Sequence, residues 1–365
     1  MKVGIVAEIK KNERRVALTP TGAHELVDHG HEVVIESGAG DGSGFDDALY
    51  GDAGARIAES AAEVFAEVDM LVHVKEPQPD EIALLKEDQI LFTYLHLAAY
   101  PEVASGLQNS GVTALAYETV QMPDGFLPLL APMSRIAGKL SVQAGAHHLE
   151  APQGGKGVLL GGDPGVAAGK VTIIGAGAAG TNALDMAVGL GARVTVLDLN
   201  LGRLLEIDEL FGGRVNTVAS SKAAVREWST WADLVVGAVL VPGAHAPRLL
   251  TEEDVMALEK GSVLVDIAID QGGCFATSQE TTHDDPTFVK HDVVHFCVGN
   301  IPGAVPRTST LALENATLPY VVDMADNGVD GAIEKRPELA PGLNVRTGEI
   351  VNEVVRESLE GPQTF

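Results

Sequence analysis

A glycine-rich turn between two apolar runs is the first place in this chain where residue types and spacing could do chemistry. Lys170-Val171-Thr172-Ile173-Ile174 enters Gly175-Ala176-Gly177-Ala178-Ala179-Gly180, a small-residue segment follows, and Arg193-Val194-Thr195-Val196-Leu197 ends in Asp198. A G-x-G-x-x-G turn from strand to helix, with an acid 23 residues after its first glycine, is the order a dinucleotide-binding βαβ unit requires. Gly175 permits the tight turn, Gly177 lets the backbone approach a pyrophosphate, and Gly180 lets the helix pack closely on the strand. The free N–H groups of the helix N-terminus then face the phosphates. Asp198 is placed to accept hydrogen bonds from the adenosine ribose and to repel a 2′-phosphate, which favours NAD over NADP. In a chain with 41 glycines the bare motif also suits an ordinary strand-to-helix turn. The flanking strands, the helix and the terminal acid favour the nucleotide reading.

Five further side chains, of four types, follow apolar runs that read as strands, at the ends where open α/β sheets place their ligands. Lys75 follows Met70–Val74, His96 follows Leu91–Leu95, Asp270 follows Leu264–Ile269, and Arg14 and Arg15 lie in the loop after the first run. Each has a plainer alternative. Arg15 sits among Lys10, Lys11, Glu13 and Arg14, all exposed types, and from pattern alone reads more readily as a solvated loop charge. Lys75 in Val-Lys-Glu-Pro could simply end a strand. His96, between Leu95 and Leu97, reads equally as a core histidine satisfied by a carbonyl. Asp270 could cap a turn.

The elements that must position these residues alternate along the chain. Val3–Ala7, Glu32–Ile35, Met70–Val74, Ile90–Tyr94 and Thr113–Tyr117 read as short buried strands, separated by helical periodicity such as Pro20–His29 and Ala58–Glu67. Turn chemistry appears at Pro123-Asp124-Gly125, and Met133–Leu149 reads as a long helix. Beyond the Gly/Pro-rich loop Gly154–Gly169 a second series runs Val171–Ile174, Val194–Leu197, Val215–Ala219, Leu234–Ala238, Val263–Ile267 and Val294–Val298. Alternation of this kind implies α/β architecture: two Rossmann-like domains with mostly parallel sheets and a cleft between them. Thr308–Met324 has helical spacing and is expected to carry the chain back to the first domain. The expected division is therefore a discontinuous substrate domain, 1–128 plus 307–365, and a nucleotide domain, 129–306.

Composition excludes several classes. A length of 365 residues favours two domains, and 45% hydrophobic residues allow a sizeable core. With 51 acidic against 25 basic residues the formal charge is −26, which argues against a nucleic-acid backbone or an anionic membrane as partner. Cys274 and Cys297 alone make no disulfide framework and read as reduced packing residues. No run approaches the roughly 20 apolar residues of a membrane span, and the N-terminal apolar run is too short for a signal peptide. A soluble, cytoplasmic enzyme is expected. No His/Cys cluster has zinc spacing, adjacent His147 and His148 would face different directions on a helix, and no metal is expected.

Several segments in order resemble the alanine dehydrogenase family: Glu13–Pro20, His73–Pro77, Tyr94–Ala98, Asp198–Leu204, Phe211–Arg214, Asp266–Gly273 and Val298–Thr308. The likeness runs from Met1 to about Leu343. It implies reversible, NAD-dependent oxidative deamination of L-alanine to pyruvate and ammonia. By resemblance, Arg15 binds the substrate carboxylate, Lys75 contacts the carbonyl region, Asn300 lies near nicotinamide and substrate, and His96 and Asp270 carry acid/base work. A guanidinium engages a carboxylate through two parallel bonds, and an imidazole passes protons near neutral pH. The resemblance also implies a cofactor lining of Ser134, Ala178, Arg203, Ser220, Val239, Leu240, Ile267, Asp270 and Val298 beside Gly175, Gly177, Gly180 and Asp198. Arg203 then reads as a stacking or phosphate contact in an NAD site. A homo-oligomer, a hexamer by resemblance, is implied as well. Two relatives share the plan: the nucleotide-binding part of proton-translocating transhydrogenase, which needs membrane partners that do not follow here, and saccharopine-type dehydrogenases, whose substrate is larger than Arg15, Lys75 and His96 suggest. A non-catalytic NAD-binding sensor would keep the glycines without needing that polar set.

Overall fold

The computed structural model describes residues 1–239 and 246–361. Its strands are β1 (Lys2–Ile5), β2 (Glu32–Glu36), β3 (Arg56–Ala58), β4 (Met70–Val72), β5 (Ile90–Thr93), β6 (Thr113–Ala116), β7 (Lys170–Ile174), β8 (Arg193–Asp198), β9 (Val215–Ala219), β10 (Leu234–Gly237), β11 (Val263–Asp266), β12 (Thr287–Lys290), β13 (Val293–Phe296), β14 (Leu343–Arg346) and β15 (Glu349–Ile350). The chain forms two compact units, Met1–Met133 with Val305–Phe365, and Ser134–Ala304.

Each unit is built on one sheet. In the first, the order is β15-β14-β6-β5-β4-β1-β2-β3. The six strands from β6 to β3 are parallel, and β14 and β15 add antiparallel pairs at one edge. In the second, the order is β12-β13-β11-β10-β7-β8-β9, parallel except for β12. Both sheets start in the middle, run outward, return and run outward the other way. The reversal falls between β1 and β4 in one and between β7 and β10 in the other, and ligands of open α/β sheets bind at such a switch point. The central strands are apolar on both faces, as parallel strands covered by helices must be: Val263, Leu264 and Val265 are fully buried, and so are Leu234, Val235 and Val236.

Helix ends follow local chemistry. The Thr19 hydroxyl caps Pro20–Asp28, which opens on a proline, and Asn200 caps Leu201–Phe211 by accepting the Arg203 N–H. The helix expected over Thr308–Met324 runs Pro306–Lys335, interrupted at Gly328 (φ 70°, ψ 175°), a backbone state suited to glycine. Its buried residues Thr310 and Glu314 belong to the first unit and accept hydrogen bonds from the loop after β1. The helical reading of Ala58–Glu67 is corrected: Ala58 ends β3, and the helix is Ala61–Glu67 behind a Ser60 cap. The three residues of β3 pair with β2 on one side only, which leaves little local signal. Cys274 and Cys297 are buried, and burial raises both thiol pKa values, that of Cys297 to about 12, so neither is a ready nucleophile.

Candidate active site

Three of the candidate residues lie in the first unit at the carboxyl ends of β1, β4 and β5, on either side of its switch point. Arg15 is in the loop after β1, Lys75 follows β4, and His96 follows β5.

Arg15 is not a solvated loop charge. It is 2% exposed, and Glu13, expected to be exposed, is buried with it. Arg15 Nε donates to Glu13 Oε1 at 2.7 Å, Nη2 lies 2.5 Å from Glu13 Oε2, and Nη1 contacts the Met133 sulfur at 3.0 Å. The fork-on-fork pair also accepts the Arg14 and Arg15 amides on Glu13 Oε1, at 3.1 and 3.0 Å. Burial opposes the guanidinium charge, but Glu13 outweighs it and raises the Arg15 pKa. The long C-terminal helix braces the same loop. The Val16 amide donates to Thr310 Oγ1 at 3.0 Å, while the Thr19 amide and hydroxyl donate to the Glu314 carboxylate at 2.5 and 2.7 Å.

His96 occupies φ +48°, a left-handed conformation uncommon outside glycine, and such residues cluster at functional sites. What holds it there is Glu118, whose carboxylate accepts the His96 amide at 2.6 Å and the Leu95 amide at 3.2 Å. The imidazole stacks on Tyr94 with ring centroids 5.8 Å apart and planes 1° apart, and its side chain is 38% exposed. Nδ1 faces Glu118 Oε1 at 3.9 Å, whereas Nε2 meets no carboxylate among the described residues. Tyr94 is itself fixed by a 2.7 Å bond from its hydroxyl to the Leu129 carbonyl, and burial pushes its phenol pKa up. Lys75 is half-buried; its amide donates to Glu8 at 3.2 Å and its carbonyl accepts the Thr93 hydroxyl at 2.8 Å.

The second unit carries the glycine turn at the carboxyl end of β7. Gly175 has φ +104°, and a Cβ there would stand 2.6 Å from the Ala238 carbonyl oxygen and 3.2 Å from Val239. A Cβ on Gly180 would strike the Gly175 carbonyl oxygen, so helix Ala178–Gly189 packs on the turn only because residue 180 has no side chain. At Gly177 a Cβ would meet nothing within 4 Å: the space above the exposed helix N-terminus at Gly177 and Ala178 is open, as a bound pyrophosphate needs. The residues present therefore fit a dinucleotide. Gly177→Ala is expected to keep the melting temperature while raising the NADH dissociation constant, because the methyl intrudes only on ligand space. Gly180→Ala is expected to lower both stability, by about 1–3 kcal/mol, and affinity. Thermal melts and fluorescence titration with NADH check both.

Asp198 closes β8. Oδ2 accepts the Ala176 amide at 2.7 Å and Oδ1 the Asn200 amide at 2.8 Å. Arg203 holds the other side of Ala176, Nε donating to its carbonyl at 2.8 Å, while Nη2 donates to Thr181 Oγ1 at 2.7 Å and Nη1 pairs with Glu206. Both side chains thus brace the turn. Ser220, Val239 and Ile267 follow β9, β10 and β11, and buried Val298 follows β13, so all four stand along the same sheet edge. Ser134 lies in the first turn of helix Ala131–His148. Leu240 lies outside the described residues. Asp270 sits exposed in a short 3₁₀ turn, and its carboxylate accepts the Asn300 amide at 3.3 Å. Asn300 has φ +55°. Beneath them buried Asp266 accepts Ala268 N–H at 3.0 Å, Cys274 N–H at 2.8 Å and the Ser278 hydroxyl at 2.5 Å. Sequence reasoning missed Glu8, Glu13, Glu118 and Asp266 as the carboxylates that hold these loops by their amides.

The descriptions "Alanine dehydrogenase/PNT, N-terminal domain" and "Alanine dehydrogenase/PNT, C-terminal domain" match residues 4–137 and 141–353. Alanine dehydrogenase 2 of Staphylococcus aureus is 54% identical over 361 residues, 99% of this chain and 97% of that protein. Alanine dehydrogenase of Halomonas elongata is 53% identical over 98% of this chain and 96% of its own length. Among solved structures, an L-alanine dehydrogenase superimposes with a TM-score of 0.95 at 50% identity, covering 98% of this chain and 99% of that one.

Proposed function

Because the chain belongs to the alanine dehydrogenase/PNT family, we propose that it interconverts L-alanine, NAD and water with pyruvate, ammonia and NADH. What carries the reading is the placement of Arg15, Lys75 and His96 at three neighbouring strand ends of one sheet, with a glycine turn fit for a dinucleotide at the switch point of the other.

A nicotinamide held at the glycine turn would supply the hydride acceptor for the amino-acid Cα, and the hydride donor in the reverse direction. The chain's own residues do the rest. Arg15, already oriented by Glu13, binds the substrate carboxylate, and Lys75 binds the carbonyl region. His96 takes a proton from the attacking water as the carbinolamine forms and supplies one to departing ammonia, with Nε2 the working nitrogen because Nδ1 faces Glu118. Asp270 stabilises the iminium charge, and Asn300 lies near the reacting carbon. Ser134, Ala178, Ser220, Val239, Leu240, Ile267 and Val298 line the cofactor. The same reading makes the enzyme a cytoplasmic homo-hexamer. Steady-state NADH formation with L-alanine, against L-serine, glycine and saccharopine, tests the activity; a higher efficiency with any of the other three refutes it.

Cofactor choice rests on Asp198, and its double duty calls for two variants. Asp198→Asn keeps an acceptor for the Ala176 amide but removes the charge that repels a 2′-phosphate. It is expected to lower the NAD/NADP efficiency ratio at least about ten-fold at wild-type stability. Asp198→Ala is expected to lower the ratio likewise and also to destabilise the turn, whose buried amide loses its acceptor. A ratio unchanged in both variants means that Asp198 does not face the ribose.

A further inference from the structure

Between β4 and Lys75 stands His73, which the proposed chemistry does not use. It is 1% exposed, with its ring edge-on to Phe65 at a centroid distance of 6.2 Å. Neither ring nitrogen makes a hydrogen bond of ordinary geometry. Instead Nδ1 faces Glu8 Oε1 at 3.5 Å and Nε2 faces Glu81 Oε1 at 3.9 Å, and both carboxylates are buried. A third, Glu36, also acts on the ring and accepts the Ala7 amide at 2.8 Å. Carboxylates gathered in an apolar interior stay ionised only beside a cation. Burial by itself would depress the imidazole pKa, but the facing carboxylates outweigh it and raise it, while burial pushes the Glu81 carboxyl up.

Glu8 links this cluster to the site. Its Oε1 accepts the Val74 amide at 2.7 Å and its Oε2 the Lys75 amide at 3.2 Å. Other bonds fix the same stretch: the His73 carbonyl accepts the Tyr117 hydroxyl at 2.9 Å, and the His73 amide donates to the Phe92 carbonyl at 3.0 Å. The backbone that presents Lys75 is therefore held by a carboxylate that sits against the His73 ring.

We propose that His73 is a positioning residue for substrate binding: its ring, set between the buried Glu8 and Glu81 carboxylates, keeps Glu8 aimed at the Val74 and Lys75 amides, and so holds Lys75 in place. Without the ring, Glu8 loses the group that holds it against the repulsion of Glu81 and turns away, and the Lys75 loop loosens. Glu81 does not touch that backbone, so neutralising it relieves the excess negative charge without disturbing the link.

This inference rests on Lys75 binding substrate, and the experiment separates the two. Steady-state constants are measured for the full-length enzyme as wild type, H73L, E81Q, H73L/E81Q and K75M. H73L is expected to raise the KM for pyruvate about ten-fold with the KM for NADH unchanged. H73L/E81Q is expected to recover at least about half of that change on a logarithmic scale, a coupling that a packing role would not produce. A pyruvate KM within about two-fold of wild type in folded H73L, or no recovery in the double variant, overturns the proposal. If H73L alone does not fold, a folded double variant supports it and failure of both overturns it. An unchanged pyruvate KM in K75M refutes the Lys75 reading itself, whatever H73L does.

Discussion

Replacing His96 by alanine is expected to cut turnover by about 10²–10⁴-fold, the usual contribution of a general acid/base, while NADH still binds. The glycine turn belongs to the other unit, and its braces, Asp198 and Arg203, do not involve His96. A structural objection has to be met, because His96 sits at φ +48° and alanine tolerates that conformation poorly. Asparagine is among the residues that accept it best, so His96→Asn keeps the loop and the Glu118 bonds to its amides but removes the titrating ring. Loss of turnover in both variants, with NADH affinity retained in fluorescence titrations, supports proton transfer by His96. Near-normal turnover in His96→Asn means that the ring only packs on Tyr94 and that the proton passes elsewhere.

How much of this arrangement was legible in the sequence depended on whether a residue's type is forced by backbone geometry or by distant neighbours. The turn at Gly175, Gly177 and Gly180 was legible because three separate steric demands fall on three glycines at fixed spacing, and the structure displays each demand as a collision or an open space. The α/β class was legible for a similar reason: both-face burial of short β-branched runs is a local signal. Strands β12, β14 and β15 were not, since they are short, partly exposed and defined by antiparallel partners that local pattern does not reveal. The carboxylates that hold the loops were hidden in another way. Among 51 acidic residues, Glu8, Glu13 and Glu118 look like surface charge. What sets them apart is a pair of successive amides contributed by Val74 and Lys75, by Arg14 and Arg15, and by Leu95 and His96. For Glu8 and Glu118 that partnership spans at least 22 residues of sequence. For Glu13 it is local, yet the burial that gives it meaning is not visible in the pattern of neighbouring charged residues.

The buried pair of Arg15 and Glu13 leads to the second large effect, in which stability and binding come apart. Removing one partner of a buried ion pair leaves an uncompensated charge and costs about 3–5 kcal/mol. Arg15→Met is therefore expected to lower unfolding free energy by about that amount, since Glu13 has no exposure through which water could replace the guanidinium. Adding Glu13→Gln removes the stranded charge, and the double variant should regain much of the stability. It should not regain substrate binding, because neither methionine nor glutamine offers a cationic fork to a carboxylate. Arg15→Lys is the complementary case: it keeps a charge for Glu13 and so should stay folded, but a lysine ammonium cannot grip Glu13 and the substrate in one plane. Its KM for pyruvate is expected to rise by about ten-fold or more, with the KM for NADH unchanged. Urea titrations give the stabilities and steady-state kinetics the constants. If Arg15→Lys and the double variant both bind pyruvate like wild type, Arg15 is a structural partner of Glu13 alone, and the substrate carboxylate must be held by another cation of the first unit.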